Sequence, residues 1–143
     1  MTVRIVNKSK NPLPKYQTTG SSGVDMYADI EVPMQITAGQ PVAVPTGLFV
    51  EIPHGYEAQI RSRSGLALKE GVFCLNSPGT IDSDYRGEIK VIIANTKDTP
   101  FTVKPGDRIA QMVFTKVEIA AFEQVSSLGD TERGHGGFGS TGK

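Results

Sequence analysis

The chain has 143 residues, 38% of them hydrophobic, with sixteen glycines and nine prolines. This length predicts one domain with its own core, and so many glycines and prolines leave little room for long helices. Fifteen lysine and arginine residues balance fifteen acidic residues, which argues against a protein that binds nucleic acid through a broad basic surface.

Short runs in which apolar and polar residues alternate predict β-strands along most of the chain. The predicted strands are residues 3–6, 34–36, 41–44, 47–52, 56–61, 88–93, 101–103, 109–114 and 118–122. Residues 64–69 form the one predicted helix, with Ser64 as its N-cap and Gly71 as its end. Many short strands separated by turn-forming residues are typical of an all-β sandwich, jelly roll or barrel.

Cys74 is the only cysteine, so the chain has no disulfide framework and no multi-cysteine zinc site. Its neighbours Val72, Phe73 and Leu75 are apolar and predict a buried, reduced thiol rather than a nucleophile. The first ten residues lack the apolar core of a signal peptide, and no apolar run reaches the length of a membrane helix. We therefore expect a cytoplasmic protein with no membrane partner and no nucleic-acid partner.

Residues 126–143 differ in kind from the rest of the chain. Leu128 and Phe138 are their only large apolar residues, and six of the sixteen glycines fall here. Such a segment cannot offset its ordering entropy by burying a core, so it is either a floppy tail or an arm that orders when a ligand binds. The presence of Arg133 and Phe138 favours the arm.

Residues 79–89 place two acids, a phenol and a guanidinium between glycines, directly before an apolar strand. This is more polar chemistry than a turn needs, and it predicts a site for a polar substrate. A calcium-binding EF-hand loop that starts at Asp82 is excluded, because Arg86 stands where a carboxylate or amide is needed and Ile93 where the bidentate glutamate belongs.

Residues 79–89 are one of five such polar islands; numbered in chain order, the islands are residues 21–28, 61–67, 79–89, 106–112 and 133–142. Their order and content resemble the trimeric dUTPase family, the dUTP diphosphatases. The resemblance implies an all-β, jelly-roll-like distorted β-barrel with one short helix. Residues 1–125 would form a single β domain, and residues 126–143 a flexible, glycine-rich C-terminal arm that closes over the active site.

The reaction that the resemblance implies is hydrolysis of dUTP to dUMP and pyrophosphate, which keeps uracil out of DNA and supplies dUMP for dTMP synthesis. The resemblance also implies a homotrimer whose active sites are shared between subunits. The C-terminal tail that covers each site would come from a neighbouring subunit. Mg²⁺ would be held by triphosphate oxygens and waters, with no direct protein ligand. Asp82 matches the family's catalytic aspartate, which takes a proton from the water that attacks the α-phosphorus.

The remaining roles also follow from the resemblance. Tyr85 would pack under the deoxyribose and exclude a 2′-hydroxyl, and Asn76 would contact the uracil together with the backbone of the adjacent turn. Asp25 would orient either Arg63 or a metal-bound water. The implied substrate-binding residues are Arg63, Ser64, Gly65, Asn76, Gly79, Thr80, Ile81, Tyr85, Gln111, Arg133, Phe138, Gly139, Ser140 and Thr141.

Within that set, the second island and Gln111 would bind phosphates, and Arg133 would reach the γ-phosphate. Phe138 would stack on the uracil as the arm closes, with hydroxyl contacts from Ser140 and Thr141. One departure from the family pattern lies in the second island, where Ser62 stands at a position that is frequently proline.

Other polar residues of the islands have structural interpretations. Asp84 and Glu88 are expected to support the hairpin or to form surface ion pairs. Asp107 and Arg108 are expected to fix a turn as a pair.

Two alternative functions remain. A dCTP deaminase of the same superfamily would release ammonia from dCTP, although the Tyr85 island and the Phe138 arm resemble the hydrolase instead. A non-catalytic nucleotide sensor would keep the pocket and lose either the base or the arm. Asp82, Arg133 and Phe138 are all present, which argues against the sensor.

Overall fold

The computed structural model describes residues 1–137, and this part of the chain folds as short strands with one helix. The strands are β1 Arg4–Asn7, β2 Val24–Tyr27, β3 Met34–Ile36, β4 Val42–Pro45, β5 Leu48–Glu51, β6 Tyr56–Arg61, β7 Val72–Cys74, β8 Gly79–Ile81, β9 Lys90–Asn95, β10 Phe101–Val103 and β11 Arg108–Lys116. The helix α1 spans Ser64–Glu70 and lies between β6 and β7. The predicted all-β class is confirmed.

The strands pair in four small antiparallel sheets, in the orders β2-β11-β6-β8, β4-β9-β7, β1-β5 and β10-β3. Within residues 1–137 the hydrogen-bonded ladders do not continue from sheet to sheet into one closed barrel. The inner faces of the sheets supply one apolar core, whose largest fully buried side chains include Met26, Ile36, Ile89, Ile93 and Met112.

Alternation explains where strand prediction succeeds. Strands β3, β6 and β10 have the predicted bounds, and most of the others begin or end one or two residues away. Strand β9 starts at Lys90 instead of residue 88, because the Glu88 carboxylate turns aside to accept a hydrogen bond from the Gly47 N–H at 2.9 Å. The Ile89 N–H donates to the Leu48 carbonyl at 2.9 Å, so the chain crosses to β5 before the β9 ladder begins.

Three predictions about local structure are wrong. The polar island at residues 21–28 is not among the predicted strands, but β2 runs through it with Val24 and Met26 buried. The predicted strand at residues 118–122 is irregular, because no neighbouring strand within residues 1–137 pairs with it. Ser64 is not the N-cap of α1. Arg63 occupies that position with extended backbone, and Ser64 is the first helical residue.

The predicted helix end at Gly71 is confirmed. Gly71 adopts the left-handed conformation with φ of 69°, and its N–H bonds back to carbonyls of the last turn. A residue with a side chain would be strained at this φ, so the glycine ends the helix at low conformational cost.

Candidate active site

The four-stranded sheet brings three of the polar islands together. In its register Gln111 of β11 lies opposite Asp25 of β2 on one side and opposite Arg61 of β6 on the other. Residues directly opposite one another in an antiparallel pair share a face, so these three side chains form a row on the partly exposed face of the sheet. The first, second and fourth islands therefore meet where β6 ends and α1 begins.

Within this row, Asp25 forms ion pairs with two arginines, Arg63 and Arg108. Its Oδ1 lies 3.2 Å from Arg63 Nε and its Oδ2 lies 3.1 Å from Arg108 Nη1, while its side chain is only 15% exposed. Arg63 also donates from Nη1 to the Arg108 carbonyl at 2.8 Å. Two guanidiniums around one carboxylate leave one formal positive charge, which favours an anionic ligand.

The expected pairing of Asp107 with Arg108 is half wrong. Asp107 does fix a turn, since its Oδ2 accepts the Lys104 N–H at 2.8 Å. Arg108 instead points to Asp25, and sequence reasoning missed it as a member of the site. The register that carries Arg108 beside Asp25 is the signal that a single sequence does not display.

The first turn of α1 faces the same region. Ser64 and Gly65 are exposed, and no side chain in residues 1–137 caps the helix, although Arg63 holds the N-cap position. Unpaired backbone N–H groups, a hydroxyl and a guanidinium at one helix start are suited to binding phosphate oxygens.

The third island forms a separate cleft. Beyond β8 the chain turns at residues 82–85, where the Tyr85 N–H donates to the Asp82 carbonyl at 3.2 Å. A cleft of about 500 Å³ opens beside this turn. Its lining residues are Ala43, Thr80, Ile81, Asp82, Tyr85, Glu88, Ile89, Lys90 and Ile92. Four residues named from the sequence therefore share one concave surface, with the Asp82 side chain exposed to solvent.

The Tyr85 ring has a defined place in this cleft. Its hydroxyl donates to the Glu88 carbonyl at 3.0 Å, and the ring lies directly over Gly87. A Cβ at position 87 would stand 2.5 Å from Tyr85 Cζ, so only glycine permits this approach. Gly87 is not among the predicted site residues, although the sequence places it between Tyr85 and the following strand.

Asn76 sits at the opposite end of β8 from Asp82. Its side chain contacts Gly79, whose position for a Cβ lies 3.1 Å from Asn76 Nδ2, and Gly79 pairs with Ile60 of β6. Asn76 is therefore near the end of β6 that carries the second island. Both Asn76 and Thr80 are exposed.

Asp82 and Arg63 are not brought together within one chain. Asp82 follows Ile81, which pairs with Ala58, whereas Arg63 lies beyond Arg61 at the other end of β6. Positions 58 and 61 are separated by about 10 Å along a strand, and both side chains lie further out in opposite directions. Within one chain, Arg63 and the start of α1, which are suited to binding phosphate oxygens, therefore lie apart from the Asp82 cleft.

The remaining predicted residues lie in the C-terminal segment, residues 126–143. Arg133 is exposed and donates from Nε to the Gly136 carbonyl at 2.8 Å, within a local turn. Phe138, Gly139, Ser140 and Thr141 lie outside the described residues.

Cys74 is confirmed as a buried free thiol. Burial raises its pKa above the ordinary value of 9.0, and a hydrogen bond with the Ser62 side chain partly offsets that rise. Within residues 1–137 no group of three or more histidine, cysteine or acidic side chains is placed to hold a metal ion. In the same part of the chain, no helix combines the length and hydropathy that a membrane crossing requires.

Comparison with known proteins decides the family. A family model for dUTPase matches residues 9–142. The chain belongs to the dUTPase family. This confirms the resemblance drawn from the five islands and the predicted class of enzyme, a dUTP diphosphatase.

Relatives of this dUTPase chain are similar along almost its whole length. A deoxyuridine 5′-triphosphate nucleotidohydrolase of Cytophaga hutchinsonii is 55% identical over 141 residues, which cover 99% of this chain and 92% of the relative. The enzyme of the same name from Finegoldia magna is 50% identical and covers 99% of both chains. The one from Chlamydia muridarum is 56% identical over 137 residues, which cover 95% of this chain and 94% of the relative.

Solved structures agree on the fold. The dUTPase of Staphylococcus bacteriophage 80alpha with dUPNHPP superposes with a TM-score of 0.88 at 23% identity, covering 99% of both chains. A dUTPase mutant from phage phi11 of S. aureus, solved to show the coordination of a structural Mg(II) ion, gives a TM-score of 0.78 at 20% identity, covering 89% of this chain and 98% of that one. The predicted jelly-roll-like architecture is confirmed by these neighbours.

Proposed function

We propose that this chain hydrolyses dUTP to dUMP and pyrophosphate, with Asp82 as the general base for the water that attacks the α-phosphorus. The observation that carries the proposal is the cleft in which Asp82 lies beside Tyr85 and the exposed edge of β8. A carboxylate open to solvent at the rim of a cleft can accept a proton from a bound water. By this reaction the enzyme would keep uracil out of DNA and supply dUMP for dTMP synthesis.

The cleft is the proposed site of the nucleoside. Asn76 and the backbone of β8 would read the polar edge of uracil, and the narrow hairpin would reject the methyl group of thymine. The Tyr85 ring, held over Gly87, would leave no space for a 2′-hydroxyl and so separate dUTP from UTP.

The row at the end of β6 is the proposed site of the phosphates. Arg63, Ser64, Gly65 and Gln111 would bind triphosphate oxygens, supported by the net positive charge around Asp25. The C-terminal arm, residues 126–143, would close over the substrate, with Arg133 at the γ-phosphate and Phe138 stacked on uracil. Gly139, Ser140 and Thr141 would add backbone and hydroxyl contacts.

The residues present fit a magnesium ion that arrives with the nucleotide. Both oxygens of Asp25 already contact guanidiniums, so this carboxylate suits an outer role, accepting a hydrogen bond from a water of the ion. When bound to the triphosphate, Mg²⁺ would neutralise charge that develops on the phosphate oxygens. We assign no direct protein ligand.

The functional unit is proposed to be a homotrimer with shared sites. Since Asp82 and Arg63 lie at opposite ends of β6, two copies would have to supply the two halves of one site. Residues 117–128 favour the same assembly, because Ile119, Phe122 and Leu128 are 76%, 98% and 87% exposed on a segment without ladder partners in residues 1–137. We place the enzyme in the cytoplasm, where its one cysteine remains a free thiol.

Pyrophosphate release from dUTP, UTP and the four standard deoxynucleotides tests the reaction. We expect turnover of dUTP alone, with Asp82→Asn lowering kcat by about 10²–10⁴-fold while a non-hydrolysable dUTP analogue still binds. Asp84→Asn, two residues further along the same turn, is the matched control and should keep its rate. Near-normal turnover by Asp82→Asn removes that residue from the mechanism, and ammonia released from dCTP would support the deaminase instead.

Mixed assemblies test the shared site. Asp82→Asn and Arg63→Ala chains are each expected to be inactive alone. After co-refolding in equal amounts, random mixing in a closed ring of three would restore about a quarter of the wild-type sites, because some sites then combine both intact halves. No recovery in a mixture that has formed mixed trimers would show that both residues act from the same chain.

A further inference from the structure

Strand β11 contains one extra residue where it pairs with β2. In the regular part of this ladder, Gln111 lies opposite Asp25. Between Arg108 and Ala110 the register shifts, and Arg108 lies opposite Tyr27. An extra residue of this kind is a β-bulge, and bulges are frequent next to active sites, where they change the direction of a side chain.

The bulge changes the face of the sheet on which Arg108 lies. Residues three apart in a regular strand point to opposite faces, so without the bulge Arg108 would point away from Gln111. The extra residue puts Arg108 on the face that carries Asp25, while Ile109 and Ala110 are both buried, at 3% and 0% exposure. Arg108 can therefore reach Asp25, and its Nη1 lies 3.1 Å from Asp25 Oδ2.

Arg108 and Arg63 share the Asp25 carboxylate, with one oxygen for each arginine. Arg63 Nε lies 3.2 Å from Asp25 Oδ1, and Arg63 Nη1 donates to the Arg108 carbonyl at 2.8 Å. These contacts involve Nε and Nη1, so Nη2 of Arg63 can donate to a phosphate oxygen. Without the Arg108 side chain, both oxygens of Asp25 could bind Arg63 in a bidentate pair, which would take Nη2 as well.

We propose that Arg108 is a positioning residue that keeps Asp25 from forming a bidentate pair with Arg63, so that Arg63 retains N–H groups for the triphosphate. The inference rests on the proposed function and deepens it at the proposed phosphate site, where these three residues contact one another within one chain. Arg108 acts through Asp25 and not through the substrate. Because the Asp25 side chain is only 15% exposed, solvent cannot readily take the place of either arginine.

The test compares Arg108→Met, Asp25→Asn and the double variant with wild type. Methionine keeps much of the apolar length of the side chain and removes its charge, and the Arg108 side chain is 49% exposed, so the variant should fold. Arg4→Met is the matched control, because Arg4 also pairs with a carboxylate on the neighbouring strand, that of Glu51 at 3.3 Å, outside the proposed site. The measurements are kcat and KM for dUTP, affinities for a non-hydrolysable dUTP analogue and for dUMP, and the urea unfolding midpoint.

We expect Arg108→Met to weaken analogue binding and raise KM by about tenfold or more, with a smaller change in kcat, because Arg63 loses a hydrogen bond to a charged group of the ligand. Affinity for dUMP, which has a single phosphate, should fall less. In Asp25→Asn the carboxylate through which Arg108 acts is already gone, so adding Arg108→Met should weaken binding little further. Arg4→Met should leave all of these affinities unchanged.

Three results would overturn this inference alone. They are unchanged analogue affinity in Arg108→Met, equal losses of affinity for dUMP and the analogue, and losses of the two single variants that add in the double variant. Additive losses would show that Arg108 acts independently of Asp25. Wild-type protein that neither turns over dUTP nor binds the analogue overturns the proposed function, and this inference with it.

Discussion

Replacing Gly87 with alanine is the sharpest steric test of how this enzyme would select deoxyribose. The new Cβ would lie 2.5 Å from Tyr85 Cζ and 2.9 Å from Cε2, against 3.4 Å or more in ordinary van der Waals contact. Gly87 does not have a positive φ, so alanine adds only this contact and no backbone strain. Tyr85 Cζ must therefore retreat by about 0.9 Å and the nearer hydroxyl oxygen by more, so the hydroxyl must leave the Glu88 carbonyl.

The expected size of the effect follows from that displacement. Loss of one hydrogen bond changes stability by about 0.5–1.5 kcal/mol, which a domain of this size tolerates. Misplacement of a substrate-contacting group by about 1 Å can lower kcat/KM by about 10²-fold. We expect kcat/KM to fall by about 10–100-fold for dUTP and by less for UTP, because the retreating ring no longer fills the place of a 2′-hydroxyl.

Steady-state kinetics with dUTP and UTP measure this change in preference. Gly20→Ala is the control, since a Cβ there meets nothing within 4 Å. Tyr85→Phe in combination with Gly87→Ala removes the oxygen that the new Cβ would strike, and should recover part of the lost rate. If Gly87→Ala keeps the wild-type ratio of dUTP to UTP, the ring does not select the sugar and this reasoning fails.

Two further predictions concern charge. Asp25→Asn should lower the unfolding free energy, measured in urea, by about 1–3 kcal/mol and raise KM for dUTP, since Arg63 loses its charged partner. Glu51→Gln is the control: it breaks an exposed pair with Arg4 and should change the unfolding free energy by less than about 1 kcal/mol. Because the Cys74 pKa is raised, the unfolded thiol ionises first and stability should fall as pH rises above 9.0. Cys74→Ala should flatten that slope, and an unchanged difference between the two proteins across this pH range would contradict it.

Strand prediction worked best for strands whose polar face is simply exposed to solvent. Strand β6 alternates between Ala58 or Ile60 inside and polar residues outside, and its bounds were predicted correctly. Strand β2 has the same alternation, but its outward residues are Asp25 and Tyr27, in a polar island that contains Gly23. Functional residues on the outer face made a real strand resemble a loop, so this error falls at the site itself.

The candidate site divides along a similar line. Thr80, Ile81, Asp82 and Tyr85 are adjacent in sequence, so one motif places them in one cleft. The links from Asp25 to Arg108 and from Ser62 to Cys74 join residues that are 83 and 12 positions apart. They depend on the register of β2, β11, β6 and β7, which a single sequence leaves open because a slip of one residue would turn every side chain to the other face.

Strand β6 explains why neither half would be sufficient alone. Its Ala58 end pairs beside the Asp82 turn, while its Arg61 end leads into Arg63 and α1. A strand is stiff over this length, so no loop movement within one chain closes the distance without breaking the β6–β8 ladder. A second copy can supply the missing half without that cost. Assembly would then be a condition of catalysis, and the exposed apolar side chains of residues 117–128 would contribute to activity without touching the nucleotide.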